Sequence, residues 1–212
     1  MNHPTPSPAR RQAPSGLLAL SGLIDRLNTW VGKAAMWLVL ATTLISAGNA
    51  IVRKAFDTSS NALLEIQWYL FAAVFMLASG YALLQNAHVR IDFVASRLSA
   101  RARNWVDVVG ILLLLFPFCV VSGSLSWAMF ANAWASGEMS SNAGGLIRWP
   151  VYLLMPVGFG LLMLQGVSEL IKRLAFLMGA GPDALGHGDS EAVKLAHEMA
   201  AQAGSRKSGA SR

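Results

Sequence analysis

Charged side chains are scarce in this sequence. Asp, Glu, Lys and Arg make up 13% of its 212 residues, where a soluble domain carries about 25%. With 54% hydrophobic residues and a mean hydropathy of +0.47, there is more apolar surface than one globular core of this length can hide. That points to lipid as the solvent and excludes disorder for most of the chain. Cysteine is nearly absent, and the single Cys119 excludes an internal disulfide framework and any CxxC metal or redox motif. The four histidines, His3, His88, His187 and His197, are too scattered to suggest a metal centre. No P-loop, no Ser-His-Asp set and no acidic pair suited to a metal is visible. The chain reads as a non-enzyme with no cofactor and no metal.

The missing charge is missing in blocks. Uncharged runs of 19 residues between Lys33 and Arg53, 22 between Glu65 and His88, 30 between Asp107 and Glu138, and 20 between Arg148 and Glu169 interrupt the sequence. A membrane helix needs roughly 20 such residues at about 1.5 Å each, and at that length only a helix satisfies every backbone group in hydrocarbon. The expectation is an all-α integral membrane protein with four transmembrane helices, near 33–53, 62–85, 106–131 and 149–172. Residues 17–178 form its membrane domain.

Lysine and arginine orient it. With the N-terminus inside, Arg10, Arg11, Arg26, Lys33, Arg90, Arg97, Arg101, Arg103, Lys172, Arg173, Lys194, Arg206, Lys207 and Arg212 all fall on the inner side. Only Arg53, Lys54 and Arg148 fall outside, 14 cations against 3. The positive-inside rule then places both termini in the cytoplasm. The basic balance is an orientation signal, and a nucleic-acid partner is not expected.

The flanks differ from the spans. Residues 1–16, with four prolines, read as a disordered tail. Arg10-Arg11 reads as orientation charge rather than a twin-arginine signal. Residues 179–212 read as a mobile cytoplasmic tail, with one short helical stretch between Ser190 and Ala201. Leu20, Leu23, Ile24, Leu27, Trp30 and Val31 repeat at helical spacing opposite Ser21, Asp25, Arg26 and Asn28. This predicts an amphipathic interfacial helix before the first span. Ile91, Val94 and Leu98 repeat the pattern in shorter form.

Few polar groups interrupt the spans. Glu65 stands four residues after Asn61, an expected N-cap, so it reads either as an interfacial acid at a helix start or as a polar contact to Arg148 or to a partner's cation. Thr42, Ser46, Asn49 and Arg53 share one face of the first span, a stripe suited to helix packing. Glu169 with Lys172 and Arg173 predicts a local ion pair, and Pro156 predicts a kink or local unwinding in the fourth span. Trp30, Trp37, Trp68, Trp105, Trp127, Trp134 and Trp149 fall mostly near span ends and read as interface anchors. Cys119 reads as an inert buried thiol.

Two stretches carry a resemblance. The first runs from Glu65-Ile-Gln-Trp68-Tyr-Leu-Phe through Gly80-Tyr81 to Asn86-Ala-His88-Val-Arg90-Ile-Asp92. The second runs from Ser140-Ser-Asn-Ala-Gly144-Gly145-Leu-Ile-Arg148-Trp149-Pro150 through Pro156-Val-Gly158-Phe to Gln165-Gly166-Val-Ser168-Glu169. Over about residues 20–178 the chain resembles the small permease subunit of tripartite ATP-independent periplasmic (TRAP) transporters, the DctQ-like family. The second stretch is similar to the mannitol or chloroaromatic subgroup. Asn86-Ala87 stands where many members have a glycine before the histidine.

The resemblance implies a bacterial inner-membrane subunit that pairs with a large permease subunit and a periplasmic substrate-binding protein. The complex would import organic acids, usually carboxylates, on a sodium gradient. The large subunit would carry the substrate and sodium sites, and this chain would be a non-catalytic scaffold. On that reading Glu65, Trp68 and Arg148 lie near the periplasmic end of the partner interface, and His88, Arg90 and Asp92 fix the cytoplasmic loop. Asn142, Gly144 and Gly145 are candidates for binding-protein contact. Two other classes remain open: a membrane-anchor subunit of a redox complex, disfavoured in its haem form by the lack of in-span histidines, and a stand-alone small four-span antiporter, disfavoured by the charge asymmetry.

Overall fold

The computed structural model describes residues 15–57, 60–86 and 98–181. Expectations for the two tails and for the stretch around Ile91 and Val94 lie almost entirely outside them. Among the described residues the fold is all helix, with only an isolated bridge between Met139 and Ile147. The helices are α1 (Ser15–Phe56), α2 (Asn61–Leu77), α3 (Ser79–Leu84), α4 (Ala100–Gly110), α5 (Phe116–Ser136) and α6 (Trp149–Leu177), with a π-helical turn at Ile111–Leu115 joining α4 to α5. They make four lengths apolar enough to cross a membrane: α1, α2 with α3, α4 through α5, and α6.

The helices extend beyond the charge-free runs. The segment expected to lie along the interface is helical, but it continues without a break into the first span. At ~1.5 Å per residue the 42 residues of α1 reach about 63 Å, twice the ~30 Å hydrocarbon core. The faces of this segment point the way lipid dictates. Ser21, Ile24 and Asn28 are buried against the other helices, while Leu23 and Trp30 are 65% and 71% exposed.

That inversion holds throughout the bundle. Hydrocarbon is as apolar as leucine, so no hydrophobic force drives helices together in it; close packing and polar ties do. The buried set is accordingly dominated by small and polar side chains, with Gln165, Ser168, Asn28 and Asn104 wholly buried. α6 packs against every other span. It meets the α2–α3 junction at Gly158, where a Cβ would lie 2.7 Å from the Met76 carbonyl oxygen. Ser79 Oγ donates back to that same carbonyl at 2.7 Å, where the helix breaks between α2 and α3.

Pro156 does not unwind α6, which continues through it. The irregularity sits at Pro117 instead. A proline cannot bond the carbonyl four residues back and its ring crowds it. The widened π turn just before it, where the Phe116 amide donates to the Ile111 carbonyl, relieves that crowding. Trp127, Phe130, Trp134 and Trp149 form a continuous ring cluster between α5 and α6, with Trp134 and Trp149 edge to face at 4.7 Å. Such a cluster suits a membrane boundary, where aromatic rings gather.

Candidate functional site

Polar chemistry concentrates at the two ends of the bundle. One end, called here the loop end, holds the C-terminus of α1, the N-terminus of α2 and the connection 137–148. The other, the tail end, holds the N-terminus of α1, the start of α4 and the end of α6.

At the loop end, Glu65 is 4% exposed and wholly engaged within the chain. Its Oε1 accepts from Ser140 Oγ and, at 2.8 Å, from Asn142 Nδ2. Its Oε2 accepts from the Leu146 backbone amide at 2.7 Å. The loop is knitted around that carboxylate. The Ser140 amide donates to the Leu146 carbonyl at 2.9 Å and the Arg148 amide to the Glu138 carbonyl at 2.9 Å. Gly145 is required here, since a Cβ would lie 2.5 Å from the Ser140 Cβ. Gly144, at φ 71°, turns through the left-handed region and is exposed.

Two neighbouring ties complete the clamp. Asn61 does not cap α2, whose N-cap is Ser60; its Nδ2 crosses to the Ala143 carbonyl at 2.9 Å. Tyr69 Oη donates to the Ile147 carbonyl at 3.0 Å. Glu65 is thus neither a helix-start acid alone nor the partner of Arg148. It is the post around which the loop before α6 is folded. Arg148 faces Glu138, with Nε 3.7 Å from its carboxylate, and donates to Tyr152 Oη at 3.3 Å. That hydrogen bond holds the Arg148 guanidinium above its ordinary pKa.

Of the residues singled out from the sequence, Glu65, Asn142 and Gly145 come together, with Gly144 and Arg148 on the same loop. Trp68 points away from them at 69% exposure, in line with exposed Phe71 and Phe75 on α2. His88, Arg90 and Asp92 lie outside the described residues.

The tail end holds a cluster that the sequence reading found only in part. The local pairs of Glu169 with Lys172 and Arg173 form as expected. They belong, however, to a network across three helices. Asp25 of α1 accepts from Ser168 Oγ at 2.6 Å, from Gln165 Nε2 at 2.9 Å and from Lys172 Nζ at 3.2 Å. Asp107 of α4 pairs with Arg173 at 3.1 Å. Asn28 Nδ2 donates to Gln165 Oε1 at 2.9 Å, and the Ser21 and Ser168 hydroxyls meet at 2.8 Å. The signal was present as a stripe of Ser21, Asp25 and Asn28 on α1 matching Gln165, Ser168 and Lys172 on α6. The reading as an interfacial helix set the α1 stripe opposite the apolar face and gave it no partner within the chain.

Neither cluster groups side chains as a nucleophile and base, and no set of three or more metal-binding side chains occurs among the described residues. What the arrangement does is tie: α2 to the loop before α6, and α1 and α4 to the end of α6.

Comparison with known proteins bears on the same segments. Residues 42–176 match the family described as tripartite ATP-independent periplasmic transporters, DctQ component. The chain is also 24% identical over 154 residues to the C4-dicarboxylate TRAP transporter small permease protein DctQ of Pseudomonas aeruginosa, covering 72% of this chain and 69% of that protein. No solved structure matches it.

Proposed function

The chain belongs to the DctQ family of TRAP transporter components, and from that premise we propose that it is the non-catalytic scaffold subunit of a sodium-coupled importer of organic acids. Its small-permease relative in Pseudomonas aeruginosa is named for C4-dicarboxylates, which makes succinate-like diacids the first substrates to try. A large permease carries substrate and sodium, and a periplasmic binding protein delivers the substrate. The subunit lies in the bacterial inner membrane with both termini in the cytoplasm and its loop end in the periplasm.

The observation that carries this reading is the use made of the ionic groups. Glu65 at one end and Asp25, Asp107, Glu169, Lys172 and Arg173 at the other are tied to groups of the same chain. A carboxylate that must bind and release an ion needs open coordination; one that holds a loop or joins three helices needs the contacts seen here. The rigid loop 137–148, with Gly144 exposed at its turn, offers a fixed surface for the binding protein. The ridge of Trp68, Phe71 and Phe75 offers an apolar face to the large permease.

The test is uptake of labelled succinate into proteoliposomes with an imposed sodium gradient. The large permease and binding protein are reconstituted with and without this chain. Uptake that requires both the chain and the gradient is expected. Uptake by this chain alone would overturn the scaffold role, and uptake unaffected by removing sodium would overturn the coupling.

A further inference from the structure

A third polar region lies apart from both clusters, in the groove between the last turns of α1 and the first turns of α2. It has a volume of about 550 Å³ and is lined by Ser46, Asn49, Arg53, Lys54, Asp57 and Gln67. Sites for small ligands run to ~300–1,000 Å³. Its inner wall is incompletely satisfied. Ser46 Oγ donates to Gln67 Oε1 at 2.7 Å, but the buried Gln67 Nε2 has no partner, and neither has Oδ1 of Asn49, a side chain only 7% exposed. A buried donor and a buried acceptor left unmet in one groove are uncommon in a native fold and call for an occupant.

The rim supplies charge of both signs. Arg53 and Lys54 close the last turn of α1 and Asp57 follows at its end. Among the described residues none of the three forms an ion pair. The groove therefore presents cations and an amide donor to an anion, and a carboxylate and an amide oxygen to a donor cation. That is the complement of a zwitterion with a phosphate and a primary ammonium a few bonds apart. Its wall also carries Ala50 and Leu64, and Phe71, one turn along α2 from Gln67, is an exposed aromatic ring at 68%. A ligand with a polar head and long hydrocarbon tails fits such a setting, and a fully soluble one does not.

We propose that this groove binds the headgroup of a phosphoethanolamine-type phospholipid. The phosphate lies toward Arg53, Lys54 and Gln67, and the ammonium toward Asp57 and Asn49. The inference stands on the groove alone and does not depend on the transport role.

Native mass spectrometry of the full chain, delipidated and titrated with phosphatidylethanolamine, phosphatidylcholine and phosphatidylglycerol of identical acyl chains, tests it. The ethanolamine lipid should bind about tenfold more tightly than the choline lipid, which has no N–H to offer Asn49 or Asp57. Asn49→Leu should reduce that difference, since Asp57 is left as the one acceptor, and Arg53→Ala should weaken both lipids. Gln67→Leu serves in place of Arg53→Ala if that variant does not fold. Equal or tighter binding of phosphatidylglycerol, or an unchanged preference in Asn49→Leu, would overturn the assignment. Displacement of the lipid by an equal concentration of soluble phosphoethanolamine would give the groove to a soluble zwitterion instead. Loss of the adduct when the chain is isolated with a large permease bound would give it to a partner helix.

Discussion

Replacing Glu65 by glutamine preserves the shape of the side chain and changes only what its two terminal atoms can accept. In the native protein one oxygen takes Ser140 Oγ and Asn142 Nδ2, and the other takes the Leu146 amide. Glutamine has one oxygen. If it faces Ser140 and Asn142, an NH2 group confronts the Leu146 N–H; if it faces Leu146, the NH2 confronts the other two donors. Either way a partly buried donor loses its acceptor, at a cost of about 1–3 kcal/mol. The loss is local, because the loop can open to water without unfolding the spans.

The readout is hydrogen exchange at the Leu146 amide in lipid nanodiscs. A penalty of that size raises the open population, and hence the exchange rate, by about 5-fold to about 150-fold. Amides in the middle of α5 and α6 should keep their native rates. Were Leu146 exchange unchanged while co-purification with a large permease was lost, Glu65 would be a contact to the partner and the clamp reading would be wrong.

Three further outcomes follow from the same geometry. Gly145→Ala places a Cβ 2.5 Å from the Ser140 Cβ and should reproduce the fast Leu146 exchange of Glu65→Gln without touching any charge. Asp25→Asn removes one of the two counter-charges of Lys172 and sets an NH2 group among the donors Gln165, Ser168 and Lys172; for a cost of about 1–3 kcal/mol, Tm should fall by about 2–12 °C in a detergent melting assay. The double variant Glu65→Gln with Asp25→Asn should show additive losses within about 0.5 kcal/mol, since sites at opposite ends share no partner; a larger coupling in the same melting assay would mean that the spans transmit strain from end to end.

The number of spans was legible because hydrocarbon tolerates little charge, so long uncharged runs mark what lies in it. The helix ends were not legible from the same signal. Charge marks where lipid stops, whereas a helix continues as long as its backbone can bond to itself, as α1 does back to Ser15. Pro156 was expected to kink or unwind the fourth span, yet α6 runs on through it. The irregularity formed at Pro117, where a π turn could absorb it. Asn86 adopts φ 50°, which explains why an asparagine serves at a turn where glycine is the easier residue. Glu65 stood out in the sequence, but its partners could not. Ser140 and Leu146 are 75 and 81 residues away, and only the packing of α2 beside α6 brings them together.

The stripe on α1 was read without its partner for an instructive reason. An interfacial helix turns its leucines to the membrane, so Ser21, Asp25 and Asn28 read as the polar side opposite Leu20, Leu23 and Leu27. In a bundle surrounded by lipid that polar side turns inward, and a polar stripe is the adhesive side. With that reversal the placement of the ionic groups becomes intelligible. Mid-bundle contacts rest on small residues such as Gly158 and Ala73, which hold by close approach and would let helices slide. The charged ties sit at the two ends, where α1 and α4 are fastened to the foot of α6 and α2 to the loop at its head. Fixing a bundle at both ends of its central helix removes sliding and splaying together, and it does so without setting an unpaired charge in the middle of the membrane, where one would cost about 2.5–3.5 kcal/mol on insertion scales. A bundle fastened this way resists relative motion of its own helices, which agrees with the scaffold role proposed for it.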